Sequence, residues 1–259
     1  MGVRRDAGGA RLSGPGAWQL TDAFFAELSL VDVHQDLARN IKSIRVTQDL
    51  FDDLSDEPAD WGVAEQHELA TKPPTYASSV PVIDRPFEES AWFNAIEFPF
   101  KHWAASRFSD GSYGIWYGSD SVETTVYETV YHWRNGFLAD AGYDQMVLRG
   151  EREHITGERK VYWVRCDAAL VDLRPSLAAY PDLVHPGSHH FTQAIGARLH
   201  HEGHPGLVSR SARCDGDNFG VLNKAVLSKP HACCSLTYRL TRTGVTVERE
   251  GGQPWMVLA

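Results

Sequence analysis

The chain lacks most of the short signatures that announce a function. No apolar run reaches the length needed to cross a membrane. Cysteine is scarce: the four residues Cys166, Cys214, Cys233 and Cys234 show no C-x-x-C spacing, and the adjacent pair cannot readily bridge to itself. Such usage fits a reducing cytoplasm better than a disulfide framework. Neither G-x-G-x-x-G nor G-x-x-x-x-G-K-[ST] occurs, so both common phosphate-cradling loops are missing. G-x-S-x-G is absent as well, which removes the usual elbow of a serine hydrolase. Positive charge is in the minority, with 25 Lys and Arg against 34 Asp and Glu and a formal net charge of −9. A surface built to neutralise a nucleic-acid backbone is therefore disfavoured, although a pocket for a small anion needs only one or two arginines.

Histidine is plentiful, and LHHEGHPG sets His200 and His204 four apart. A zincin helix requires H-E-x-x-H, whereas here the glutamate follows His201, and Gly203 and Pro205 break the helix where a second ligand would stand. No metal is expected. The opening MGVRRDAGGARLSGPG has paired arginines with no apolar segment after them, so it reads as a mobile tail over 1–16 rather than a secretory signal.

What is present is 42% hydrophobic residues over 259 positions, enough for one good core. TDAFFAELSLVDVHQDLARNIKSI has helical spacing behind a Thr cap, and the reading is a helical region over 17–72 with a connector at 73–80. Beyond it, strands are expected at VPVIDR, GIWYGS, YDQMVLRGE, KVYWVRCD, FGVLNKAVL, CSLTYRLT and GVTVERE. Helices are expected only at 121–137 and 189–202. Clustered strands with few helices predict an α+β fold over 81–259 rather than a doubly wound sheet.

The stretch RFSDGSYGIWYGSDSVETTVYETVYH (107–132) concentrates the chemistry. Asp120 is placed as a helix cap with Glu123 three residues on. Val122, Val126, Val130, Trp133 and Phe137 form one apolar stripe, and Glu128 falls nearly opposite it. A glutamate there serves either a solvated face or the wall of a cleft, and periodicity does not choose. GLVSRSARCDGDNFG offers Ser211 at a strand end, with Asn218 read as turn chemistry.

In order, the chain gives Arg85 in VIDRPF, RFSDGSYG, Tyr117 eleven residues before Glu128, VDLRP, HHFTQAIG and a strand ending at a serine. This series resembles the RES-domain family over roughly residues 80–230. The resemblance implies a fold similar to the ADP-ribosyltransferase toxins: a mixed or antiparallel sheet core with a few flanking helices and, here, an N-terminal helical extension. It also implies a cytoplasmic toxin of a type II toxin–antitoxin pair that consumes NAD by hydrolysis or phosphorolysis. NAD is then a substrate, not a cofactor, with inorganic phosphate as an optional co-substrate. The implied partner is a helical Xre-type DNA-binding antitoxin that blocks the active site; no direct nucleic-acid or membrane contact is implied, and a homodimer is compatible. Transfer of ADP-ribose to a protein, and a non-enzymatic interaction module, are the alternatives.

Residue by residue, the resemblance assigns Glu128 to the ribose, where a carboxylate stabilises an oxocarbenium-like state. Arg85 and Arg107 fall to the phosphates as forked cations. Tyr117 would offer a face to nicotinamide, and Ser211 and Gln193 hydrogen bonds to ribose or amide. Two departures stand out: Pro86 follows the first arginine where an aromatic is usual, and Thr192 competes with Ser211 as the useful hydroxyl.

Overall fold

The computed structural model describes residues 22–43, 92–250 and 252–259. In chain order these form helix α1 (Asp22–Ala26), strand β1 (Ser29–Lys42), a π-helical turn (Phe93–Glu97) running into α2 (Phe98–Lys101), β2 (Trp116–Ser119), α3 (Val122–His132) and α4 (Tyr143–Arg149). There follow β3 (Ile155–Asp172), α5 (His190–His201), β4 (Gly206–Arg210), β5 (Asp217–Val221), β6 (Leu227–Thr241), β7 (Gly244–Arg249) and β8 (Gln253–Leu258). The fold is α+β, with eight strands in one sheet and few helices among the described residues, as the strand pattern predicts.

The strand order is β1-β2-β5-β4-β3-β6-β7-β8, with β1 also paired to β3. Five strands thereby close a circuit, β1–β2–β5–β4–β3, and β6, β7 and β8 continue from the other edge of β3. The closure is uneven. β1 runs antiparallel to β3 from Ser29↔Asp172 to Lys42↔Arg159, but it touches β2 at a single pair, Ala38↔Ser119. Two adjoining strands that share one register pair must splay apart on either side of it, and the opening beside β1 and β2 becomes the wall of a cavity.

β1 corrects the helical reading of residues 21–44, which among the described residues holds only for the five of α1. Along β1 the buried residues are Val33, Leu37 and Ala38, while 34–36 are exposed. A spacing of four and five imitates a helix face, although the backbone is extended. The rest of the expected helical region, the connector and the VPVIDR strand lie outside the described residues. YDQMVLRGE is a second correction, since Tyr143–Arg149 is helix α4. Its limits are Gly142 and Gly150, both left-handed (φ 75° and 76°), and the Gly150 N–H bonds back to Met146 and Val147. That is a glycine C-terminal cap.

α3 is built from poor helix formers, VETTVYETVYH. It forms because the stripe read from sequence is buried: Val122, Val126, Val130 and Trp133 pack on Leu236, Tyr238, Leu240, Val245 and Val247 of β6 and β7. Ser121, not Asp120, caps it, accepting the Thr124 N–H at 3.1 Å. Asp120 instead accepts from the Asp217 N–H at 3.1 Å, tying the start of α3 to β5. In a separate cluster, α5 lays Ile195 and Leu199 against Phe108, Ile115, Val171 and Leu207.

Gly196 sets how closely α5 approaches the loop before β2. A Cβ there would collide with the Phe108 carbonyl oxygen and lie 2.9 Å from the Tyr113 hydroxyl. Gly196→Ala is expected to lower stability by about 1–3 kcal/mol through overpacking. The urea midpoint of the variant checks this; an unchanged midpoint would show that the loop has room to move.

Candidate functional site

A cavity of about 560 Å³ opens between α3, α5, the loop before β2 and the splayed strands. That is within the roughly 300–1,000 Å³ of small-molecule sites. Its charged and titratable side chains are Arg39, Arg107, His132, His189 and Glu128, together with the enclosed Tyr117. Among the described residues, one carboxylate thus stands with four basic residues in an otherwise acidic chain. Burial holds both histidines below their ordinary 6.5, Glu128 raising His132 and the nearby arginines lowering both.

Glu128 lines the cavity, so the polar face of α3 borders a cleft and not bulk water. The carboxylate is held from two directions. Ser211 Oγ donates to Oε1 at 2.6 Å, and Asn218 Nδ2 donates to the same oxygen at 2.7 Å. Ser211 Oγ is itself fixed by the Arg213 and Cys214 N–H groups at 3.0 and 3.3 Å. Asn218 Oδ1 accepts from Ser119 Oγ at 2.7 Å across the β2–β5 pair. Both bonds fall on Oε1, which leaves Oε2 without a hydrogen bond among the described residues. Asn218 is therefore a strand residue that orients Glu128, a correction to its reading as a turn.

The other expected residues organise the loop at 106–113. Tyr117 Oη accepts from the Phe108 N–H at 3.0 Å and shares a hydrogen bond with Ser106 Oγ at 2.9 Å. Gln193 Nε2 donates to the carbonyls of Ser106 and Ser109 at 3.0 and 3.2 Å. Arg107, whose pKa burial lowers, spends Nη1 on the carbonyls of His185 and Leu183 at 3.0 and 3.4 Å. Its Nε and Nη2 carry no hydrogen bond among the described residues. Arg107, Tyr117, Glu128 and Gln193 thus meet at one cavity, with Ser211 behind Glu128. Thr192 is buried and bonded to His189 O at 3.0 Å, off the cavity wall. Arg85 lies outside the described residues.

The sequence reading passed over several wall residues. Ser209 lies on β4 two positions before Ser211, so strand alternation in VSRSA was its signal. His132, one helical turn after Glu128, carried the same kind of signal. Arg39 and Asn40 had none, because β1 was read as helix. Two of the three histidines of LHHEGHPG have structural partners: His200 stacks on Tyr113 at 4.2 Å, and His204 pairs with Glu202 at 3.5 Å. Among the described residues, no group of three His, Cys, Asp or Glu is arranged to hold a metal.

The RES domain family model matches residues 83–241, more than half of the chain. The chain belongs to the RES-domain family. A chain of the M. tuberculosis MbcT–MbcA toxin–antitoxin complex is similar at 13% identity, covering 86% of this chain and 92% of its own, with a TM-score of 0.44. No curated protein matches the sequence. The RES match takes in Arg107, Tyr117, Glu128, Gln193, Ser211 and Asn218, and it begins after β1.

Burial raises the Tyr117 phenol to about 12, against bonds from Ser106 and Phe108 and the charges of Arg107 and Arg39 that lower it. A phenol whose folded value exceeds its unfolded value of 10.0 stabilises the fold fully below pH 10. That contribution is lost as pH rises towards 12. Tyr113, raised to about 12 mainly by burial, acts in the same sense. Urea unfolding between pH 9 and 11.5 should show stability falling above pH 10, with a shallower fall in Tyr117→Phe. Equal slopes in the two proteins would contradict the assignment.

Proposed function

We propose that this RES-domain protein cleaves the nicotinamide–ribose bond of NAD. The observation that carries the reading is a carboxylate, Glu128, fixed by two donors in a cavity whose other charged groups are basic. NAD asks for that combination, because its diphosphate is anionic while its reacting ribose becomes cationic in the transition state.

In this reading Glu128 Oε2 faces the ribose and stabilises the oxocarbenium-like state, and the donors from Ser211 and Asn218 keep the carboxylate from reorienting. The C1′–N bond breaks with its electron pair passing to the pyridinium nitrogen, so nicotinamide leaves as a neutral molecule and needs no general acid. Water then adds its oxygen to C1′ and gives up one proton, yielding ADP-ribose. Inorganic phosphate in the same position yields ADP-ribose 1″-phosphate. Arg107 has Nε and Nη2 to offer the diphosphate. The Tyr117 ring lines the same wall, its hydroxyl being committed to the loop. The biological role that goes with this chemistry is that of a toxin neutralised by an antitoxin covering the cavity mouth, as the family resemblance implies.

Nicotinamide release from NAD by the purified chain, with and without phosphate, tests the proposal. Wild type is expected to turn over, and Glu128→Gln to lose at least about 10²-fold in kcat. Asn218→Ala should fall by a smaller factor, since Ser211 still holds Oε1. No NAD loss by wild type under either condition, or full activity in Glu128→Gln, would sink the reading. Label from NAD retained on a protein band would redirect it to ADP-ribosyl transfer.

A further inference from the structure

Like Arg107, a second cation of the cavity keeps most of its donors unspent. Arg39 lies on β1, ahead of the residues that the RES family model matches. Its Nη1 donates to the Tyr117 carbonyl oxygen at 2.7 Å, and the guanidinium lies 5.5 Å from the centroid of the buried Trp116 ring. Its Nε is buried and has no hydrogen-bond partner, and no carboxylate pairs with it among the described residues. A guanidinium has five N–H donors. Here one of its nitrogens is committed, and the half-buried cation has no counter-charge among the described residues. Leaving a buried cation and its donors unmatched is costly unless something else supplies the anion.

The next residue repeats the pattern with opposite polarity. Asn40 Nδ2 donates to Thr125, Thr129 and Tyr238 at 3.3, 3.2 and 2.9 Å, which fixes the amide. Its Oδ1 is buried and has no partner. Both residues line the cavity that holds Glu128. Gln193 Nε2 and the Tyr117 hydroxyl are already used by the loop, so they are poor candidates for the same task.

We propose that Arg39 is an anion-binding residue of this cavity, taking a phosphate oxygen of a phosphate-bearing ligand while Asn40 Oδ1 accepts from a hydroxyl or amide N–H of the same molecule. The proposal deepens the NAD reading, which supplies a diphosphate and several such donors. It adds a contact from β1, outside the family motif. Burial, which lowers Arg39 to about 10, agrees with a cation awaiting a counter-ion.

Titration calorimetry with inorganic pyrophosphate on the full chain tests Arg39 without requiring any turnover. Wild type is expected to bind, Arg39→Gln to bind at least about tenfold more weakly, and Arg39→Lys to fall between them. Arg165→Gln removes an equal charge at the surface, where Arg165 pairs with Asp167, and should leave the affinity unchanged. Near-ultraviolet circular dichroism establishes that each variant is folded, and the charge-retaining Arg39→Lys decides the matter if Arg39→Gln is not. Absence of pyrophosphate binding by wild type, or equal binding by wild type and the folded Arg39 variants, overturns the proposal. Turnover separates it from the NAD reading. If NAD is cleaved, Arg39→Gln should lower kcat/KM for NAD by at least about tenfold more than for nicotinamide riboside, which has no phosphate. If wild type cleaves neither, the NAD reading falls while the pyrophosphate result still stands.

Discussion

Glu128 Oε1 is where three elements meet. α3 carries the carboxylate, the end of β4 brings Ser211, and β5 brings Asn218. Each donor is in turn fixed by something else, Ser211 by two backbone N–H groups and Asn218 by Ser119 on β2. The geometry of one carboxylate oxygen therefore depends on the β2–β5 register, the β4–β5 register and the seating of α3 on β6 and β7. A shift in any of these moves the donor away and leaves a half-buried carboxylate short of partners, which is costly. The second oxygen is left for chemistry because the first is so fully engaged.

The loop at 106–113 is assembled on the same logic. Tyr117 holds it from β2, Gln193 holds it from α5, and Gly196 lets the helix come close enough for both bonds to form. Tyr113 closes it by donating to the Phe108 carbonyl at 2.5 Å and stacking on His200. Arg107 is thereby fixed at its base and still has two nitrogens uncommitted. Several side chains that sequence reasoning gives to a ligand serve to build the wall that a ligand would meet.

Much of the architecture was legible in the chain because its elements follow simple periods. The α3 stripe is visible as valines at four-residue spacing, and β3, β6 and β7 as alternating β-branched and aromatic residues. β1 was not legible, since burial of Val33, Leu37 and Ala38 on a splayed strand reproduces helical spacing. α4 was hidden by the apolar centre of YDQMVLRGE, although its two flanking glycines marked the ends. In the site, Glu128, Tyr117, Arg107 and Gln193 were found from an ordered motif. Asn218 was missed because an Asn between Asp and Phe near two glycines looks like a turn until β5 is seen to pair on both sides. Arg39 and Asn40 were out of reach, as they enter the cavity from β1, the strand that was misread.

In the function proposed above, NAD binds with its nicotinamide ribose against Glu128. A crystal structure of Glu128→Gln grown with saturating NAD tests it directly, because the substitution keeps the side-chain shape while slowing turnover. The ribose should lie within hydrogen-bonding distance of residue 128 and the diphosphate beside the arginines of the cavity. A cavity left empty by NAD, or filled with the ribose turned away from residue 128, would contradict it.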